Sequence, residues 1–303
     1  MVQEVILGGR GMMRRRAFLA GLALIGTEAC RRGPRPIMVG SASTTEQALF
    51  GEIAAQHLEH RLARKVERRL RIGGPLISYQ ALQNGEISVH AEYAGTIITE
   101  ILREQPAADA SVVLERARNE MRRTARAELF DPLGVSADIV GVIRANDPRA
   151  ESVSTLSEAA RVADGWKIAV SFEFQQRPDG IPGLSQYHLP MVAPLRAVDS
   201  NTLFQKLGDG QVSLILTTAT DGALVSSSWK SLRDDRGAFT ARQACYLVRL
   251  EVLNAEPRIR TAISELSGKL SNQKMRVMNS EVDREGRSLA DVAAAFLKSA
   301  GLN

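Results

Sequence analysis

Four histidines, two cysteines and two hydroxyl-rich turns are the places where this 303-residue chain could do chemistry. His57 and His60 sit three apart on a helical pattern, a spacing that can bring two metal ligands to one face. Glu59 and Arg61 beside them fit a solvated helix face better. His188 stands in a Tyr-His-Leu-Pro stretch with no nucleophile near it. The chain contains no H-E-x-x-H, G-x-S-x-G, phosphate-loop or dinucleotide fingerprint, so we expect no catalytic residue, no metal and no cofactor. Cys245, between Ala244 and Tyr246, reads as a small buried hydrophobe. What remains is binding chemistry. Ser41 to Thr45 join a strand-like run to a helix-like one, and Gly95-Thr96 repeat that arrangement just after Tyr93. Hydroxyls and free N–H groups at a helix start suit a carboxylate, and the same residues also serve as plain helix caps.

The charge map removes nucleic acid as a partner. Residues 1–35 hold seven arginines against Glu4 and Glu28, a net of +5, which is the net charge of the whole chain. The 32 basic and 32 acidic residues that follow cancel, so nothing is left to displace phosphate counterions. Arg14-Arg15-Arg16 precede an apolar run of about ten residues that closes on Thr27-Glu28-Ala29-Cys30, the layout of a twin-arginine-like export signal. The run is too short to span a membrane, which takes about 20 residues. Cys30 is a candidate lipidation site, leaving Cys245 alone in a mature chain, and Met1, Met12 and Met13 are alternative starts.

From Ile37 onward strand-like and helix-like segments alternate, the pattern of an α/β protein with a mainly parallel sheet. Strands are expected at 37–40, 66–72 and 87–93, with helices at 46–64 and 77–84 between them. A second α/β stretch begins at the apolar run 139–143. It continues through a capping box at Ser154 to Glu158, strands at 166–171 and 212–216, and a helix at 197–207. A long extended segment at 239–250 leads to helices at 257–269 and 289–300, joined by an acidic linker at 279–283.

A set of short matches is more specific than any one of them. Gly40-Ser41 with Thr45-Glu46-Gln47, Gly73-Gly74, Ala81 to Ile87 and Glu92-Tyr93-Ala94-Gly95-Thr96 come first. Pro132-Leu133-Gly134, Glu173-Phe174, Arg177-Pro178-Asp179-Gly180, Pro182-Gly183-Leu184, Thr220-Asp221-Gly222, Leu247-Val248-Arg249 and Leu266 to Lys269 follow in order. Together they resemble the glycine betaine/choline/L-proline (osmoprotectant) substrate-binding proteins of ABC importers over about residues 36–303. The resemblance implies a two-lobed periplasmic binding protein fold of type II, with a ligand cleft between lobes joined by a two-stranded hinge. Lobe 1 would hold 36–138 plus 243–303 and lobe 2 would hold 139–242. It also implies an exported, non-enzymatic receptor that closes on a small solute and works with an ABC permease and ATPase; the alternative is a ligand-sensing or scaffold protein of the same fold without transport. Contact with the membrane would come only through the lipid anchor.

In that family a tyrosine cage holds a trimethylammonium head and polar groups hold a carboxylate. Tyr93 matches one cage position, and Gln47, Thr96 and Arg177 match the carboxylate end. The other three cage positions carry Ile139, Thr218 and Arg242. A desolvated cation–π contact contributes roughly 0.5–2 kcal/mol, so three lost contacts remove about 3 kcal/mol, near a hundredfold in affinity. Arg242 would repel a cationic head and, with Arg177, favour an anionic or strongly polar ligand. Phe172, Phe174 and Tyr187 are the candidates to supply replacement rings.

Overall fold

The structure, a computed structural model, describes residues 36–105, 107 and 109–302. The leader and Cys30 lie outside the described residues, so the export-signal and lipidation readings stay expectations. No described helix is long and apolar enough to cross a membrane.

The first half opens with β1 (Met38–Gly40), α1 (Thr45–Leu62), β2 (Glu67–Arg69), α2 (Pro75–Asn84) and β3 (Val89–Tyr93). The short α3 (Ala94–Thr96) runs into a π-helical turn at Ile97–Ile101 and is followed by α4 (Ala110–Glu120) and β4 (Ala127–Leu129). The second half contains β5 (Ile139–Arg144), α5 (Leu156–Ala159), β6 (Ile168–Ser171), α6 (Phe172–Gln176), α7 (Gly180–Ser185) and β7 (Arg196–Val198). Next come α8 (Leu203–Gly208), β8 (Leu214–Thr218) and β9 (Trp229–Arg233). The chain then returns through β10 (Ala244–Arg249) to α9 (Leu250–Ala255), α10 (Arg258–Glu265), α11 (Asn272–Asp283) and α12 (Leu289–Ser299).

Local chemistry sets the helix ends. Thr44 Oγ1 accepts from the Gln47 N–H to start α1, Gly74 and Pro75 start α2, and Thr155 with Glu158 closes a capping box on α5. Gly85, at φ +78°, ends α2 in the left-handed conformation that lets its N–H reach Ala81 and Leu82.

These elements build two five-stranded sheets, ordered β2-β1-β3-β10-β4 and β7-β6-β8-β5-β9. Strand periodicity divides each sheet into two apolar faces. On β10, Ala244, Tyr246 and Val248 join one core while Cys245 and Leu247 join the other. On β5, Ile139 and Ile143 face one core and Val140 and Val142 the opposite one. Between the sheets the chain crosses twice, and the crossings pair. Ala244 N donates to Val135 O at 2.9 Å, Ala137 N donates to Arg242 O at 3.0 Å, and Ser136 bridges Gln243 in antiparallel sense. This is the two-lobed, type II binding-protein architecture with its two-stranded hinge.

The sheets are not mainly parallel, since each has two parallel and two antiparallel pairings. Three expectations about helices also need correction. The residues at 279–283 are not a linker but the end of α11, which Ser271 caps and which buries Met275, Met278 and Asn279. The helix expected at 257–269 is confined to Arg258–Glu265 and is followed by a loop. The one expected at 197–207 is strand β7, a 3-10 turn and the short α8, because Arg196–Val198 pair in parallel with β6.

Candidate functional site

Strands β1 and β3 lie side by side in parallel, so the segments leaving their carboxyl ends emerge together. The first segment leads into α1 and brings Glu46 and Gln47. The second is Tyr93, the last residue of β3, with Thr96 one turn beyond. The returning crossing adds Thr240 and Arg242, since Tyr93 pairs with Ala244 across the sheet. Gly95 is required there: a Cβ would lie 2.5 Å from the Ala241 carbonyl oxygen.

Glu46 is the centre of the arrangement. The Tyr93 hydroxyl donates to one of its oxygens, and Asn279 Nδ2 donates to the other at 2.8 Å. The same amide donates to Thr220 O at 2.9 Å, so it ties the first lobe to the second. Arg276 Nε adds a 2.6 Å bond to Ala219 O, and Gly222 seats against α11, where a Cβ would meet Ser280 N at 2.7 Å. Helix α11 is therefore a second connection between the lobes, apart from the crossings.

Arg242 lays its guanidinium over the Tyr93 ring, Cζ 4.9 Å from the centroid. Burial pushes the Glu46 carboxyl above its usual range, against the hydrogen bonds and the field of Arg242. Burial also raises the Tyr93 hydroxyl and the Glu100 carboxyl; Arg242 opposes both shifts. Beneath them, Glu92 accepts from Tyr93 N at 2.8 Å and from Gln47 Nε2 at 3.4 Å, and lies 3.4 Å from His90 Nε2.

Hydrogen bonding around this centre is incomplete. Buried atoms without a partner among the described residues include Gln47 Oε1, Thr96 Oγ1, Arg242 Nε and Asn279 Oδ1. Buried polar groups in native structures are normally paired, and each exception calls for an explanation. A cavity of about 500 Å3 is lined by Thr99, Glu100, Arg103, Glu104 and Gln105 from the first lobe and Gln176 and Pro178 from the second, and its Glu100 feels the field of Arg242. Tyr93 and Arg242 are not among its lining residues.

Of the residues singled out by sequence, Gln47, Tyr93, Thr96 and Arg242 are brought together here. Arg177 is already engaged, with Nε and a terminal nitrogen on Asp179 at 2.9 and 2.7 Å. Asp179 in turn accepts from Thr240 N at 2.9 Å, and burial raises its pKa. Ile139 is packed in the second lobe's core opposite Thr218, which is half-buried beside Thr220. The candidate replacement rings are placed elsewhere: Phe174 packs on Phe239 at 5.8 Å, Tyr187 donates to Asp234, and Phe172 is 47% exposed.

The hydroxyls of Ser41 to Thr45 close on the fold. Ser41 accepts from Arg71 N, Thr44 caps α1 and Thr45 donates to Asp283. Cys245 is buried and its thiol is pushed up to about 12. No group of three metal-ligating side chains occurs among the described residues. Sequence reasoning missed Asn279, Glu100 and Thr240, and it quoted Glu46 without giving it a role. The only signal for Glu46 was its place in the Thr-Glu-Gln turn.

A two-lobed fold with an unsatisfied polar cluster at the seam defines a solute-binding protein. The family profile for the substrate-binding domain of the ABC-type glycine betaine transport system matches residues 35–299, and the chain belongs to that family. It is 25% identical over 264 residues to the carnitine transport binding protein OpuCC of Listeria monocytogenes, covering 86% of each chain. It is 24% identical over 270 residues to the ergothioneine transport permease/ergothioneine binding protein EgtU of Helicobacter pylori, covering 88% of this chain and 48% of that one. The crystal structure of a glycine betaine/carnitine/choline ABC transporter superposes with a TM-score of 0.80 at 24% identity, covering 88% of this chain and 99% of that one.

Proposed function

We propose that the chain is an exported, non-catalytic receptor that captures a small polar or anionic solute between its lobes and delivers it to the permease and ATPase of an ABC importer. The observation that carries this reading is the ring of buried, unpartnered polar atoms around Glu46, Tyr93 and Arg242. Leaving a buried polar group unpaired costs about 1–3 kcal/mol, and a polar solute bound there would recover much of it. Closure would use the paired crossings as a hinge and α11 as the contact that meets the second lobe.

The ligand set proposed is Gln47, Tyr93, Thr96, Asn279, Thr240 and Arg242, with Glu46 as their organiser. Arg177 acts on this site indirectly: it holds Asp179, which fixes the backbone at Thr240. Ile139 and Thr218 shape the second lobe's wall. Export through the leader, with lipid attachment at Cys30, would place the receptor in the periplasm or on the outer face of the cytoplasmic membrane.

Carnitine and glycine betaine, named for the relatives, both end in a trimethylammonium group. Here one tyrosine remains at the centre and a guanidinium already covers it. A thermal-shift screen of the full chain against betaines, choline, amino acids, organic acids and sugars tests the reading. A ligand of the native state raises Tm as its concentration exceeds Kd. The expected result is a concentration-dependent rise with a polar or anionic solute, and a smaller one or none with choline and glycine betaine. Silence across the whole panel would overturn the receptor role, and the largest shift with choline or glycine betaine would overturn the choice of solute.

A further inference from the structure

The cluster is specific about hydrogen-bond polarity, and that narrows the solute. Asn279 Nδ2 donates to both Glu46 Oε2 and Thr220 O, which fixes the amide and leaves Oδ1 as a buried acceptor without a donor. Gln47 Nε2 donates to Glu92, which leaves Gln47 Oε1 in the same condition. Two carboxylates, Glu46 and Glu100, stand close enough to Arg242 to feel its charge. On the other side of the balance, Arg242 Nε is a buried, charged donor without an acceptor. The unpartnered atoms therefore call for N–H donors at Asn279 and Gln47 and an anionic acceptor at Arg242.

A trimethylated nitrogen is poorly matched to these positions. It carries no N–H to give to Asn279 or Gln47, and its usual partner is an aromatic face. That face is taken. The Arg242 guanidinium lies 4.9 Å over the Tyr93 ring, and Phe50 packs edge-to-face on the same ring with centroids 6.4 Å apart. A guanidinium is planar, weakly hydrated and always charged, so it is well suited to remain on the ring.

Building on the receptor reading above, we propose that Arg242 is a resident cation occupying the aromatic seat, and that the cleft selects zwitterions whose nitrogen bears N–H bonds over the same molecules fully N-methylated. The ammonium of the solute donates to Asn279 Oδ1 and Gln47 Oε1, and its carboxylate accepts from Arg242 Nε. Each buried acceptor left without a donor weakens binding by about tenfold, so a matched pair should differ by at least about tenfold.

The test is calorimetric titration of the full chain with pairs that differ only in N-methylation: glycine and glycine betaine, proline and its dimethyl betaine, 4-amino-3-hydroxybutyrate and carnitine. The expected result is that any pair that binds prefers its N–H member by about tenfold or more. In Arg242→Tyr that preference should shift by at least tenfold towards the methylated member, and Arg242→Ala makes the same comparison if the larger ring disturbs folding. If no pair binds the wild type, gain of binding by a methylated member in either variant still supports the occupied seat. Equal or tighter wild-type binding of a methylated member overturns the proposal, as do variants with no shift and silence in wild type and variants alike. These failures leave the receptor reading intact provided that another solute of the broader screen binds; silence there as well removes both.

Discussion

Arg68 and Arg242 are both half-buried arginines, each beside a buried glutamate, Glu52 and Glu46 respectively. Arg68 places all three guanidinium nitrogens: Nε on Glu52, one terminal nitrogen on Glu59 and the Val66 carbonyl, and the other on both carboxylates. Arg242 stacks on Tyr93, and its Nε is buried with no partner. Around Arg68 the hydrogen bonds close on themselves and fasten β2 to α1. Around Arg242 they stay incomplete. The difference teaches that burial of a charge does not by itself mark a site; what marks it is a donor–acceptor count that the protein's own groups leave incomplete.

The largest effect expected from breaking this contrast is on the closed side. Arg68→Met leaves Glu52 and Glu59 without their cation. Loss of one partner of a fully buried pair costs about 3–5 kcal/mol, but Arg68 keeps 27% of its side chain exposed, so the loss should be nearer 2–3 kcal/mol. Denaturant unfolding would read it, and affinity for any solute that binds the wild type should stay within about twofold. Asn279→Ala comes next. It strips one bond from the buried Glu46 and one tie to Thr220, for about 2 kcal/mol. Unlike Arg68→Met, it should also weaken solute binding and enlarge the radius of gyration in small-angle scattering. Tyr93→Phe removes only the hydroxyl, for about 1 kcal/mol. A loss in binding with Arg68→Met, or none with Asn279→Ala, would erase the distinction between the two regions.

How much of this was legible beforehand follows from where the information resides. The strands with their following helices could be read because their periodicity is local: Val89 to Tyr93 are all buried, and Thr44 caps α1 from within its own turn. Tyr93, Gln47 and Thr96 were readable because motif and strand end coincide. Asn279 was not. Its neighbours Ser280, Glu281 and Asp283 look like a polar linker, and the helix there depends on Ser271 capping it and on Met275 and Met278 finding the core. The stacking of Arg242 on Tyr93 depends on the pairing of β10 with β3, a register no local pattern encodes. Arg177 failed to join the cluster for a similar reason, since Asp179 two residues on offers it a closer carboxylate than any solute would.

The finest contrast lies in two glutamates of one helix. Hydrogen bonding from Arg68 holds the Glu59 carboxyl below its ordinary 4.5, while burial holds Glu46 above the same value. Linkage then gives opposite signs in adjacent pH windows. Glu59 binds protons less readily folded than unfolded, so its contribution is present above pH 4.5 and is lost as pH falls through its lowered value. Glu46 binds them more readily folded, so its burial as a carboxylate weighs against folding at neutral pH, and that burden lifts as pH falls through its raised value to 4.5. Comparing the wild type with Glu59→Gln and with Glu46→Gln by melting temperature separates the two from every other titrating group. The wild type's margin over Glu59→Gln should shrink below pH 4.5. Its margin over Glu46→Gln should instead grow as pH falls through the raised value towards 4.5. Margins moving in the same direction would mean that Glu46 is held as tightly as Glu59, and the cluster around Arg242 would then count as closed.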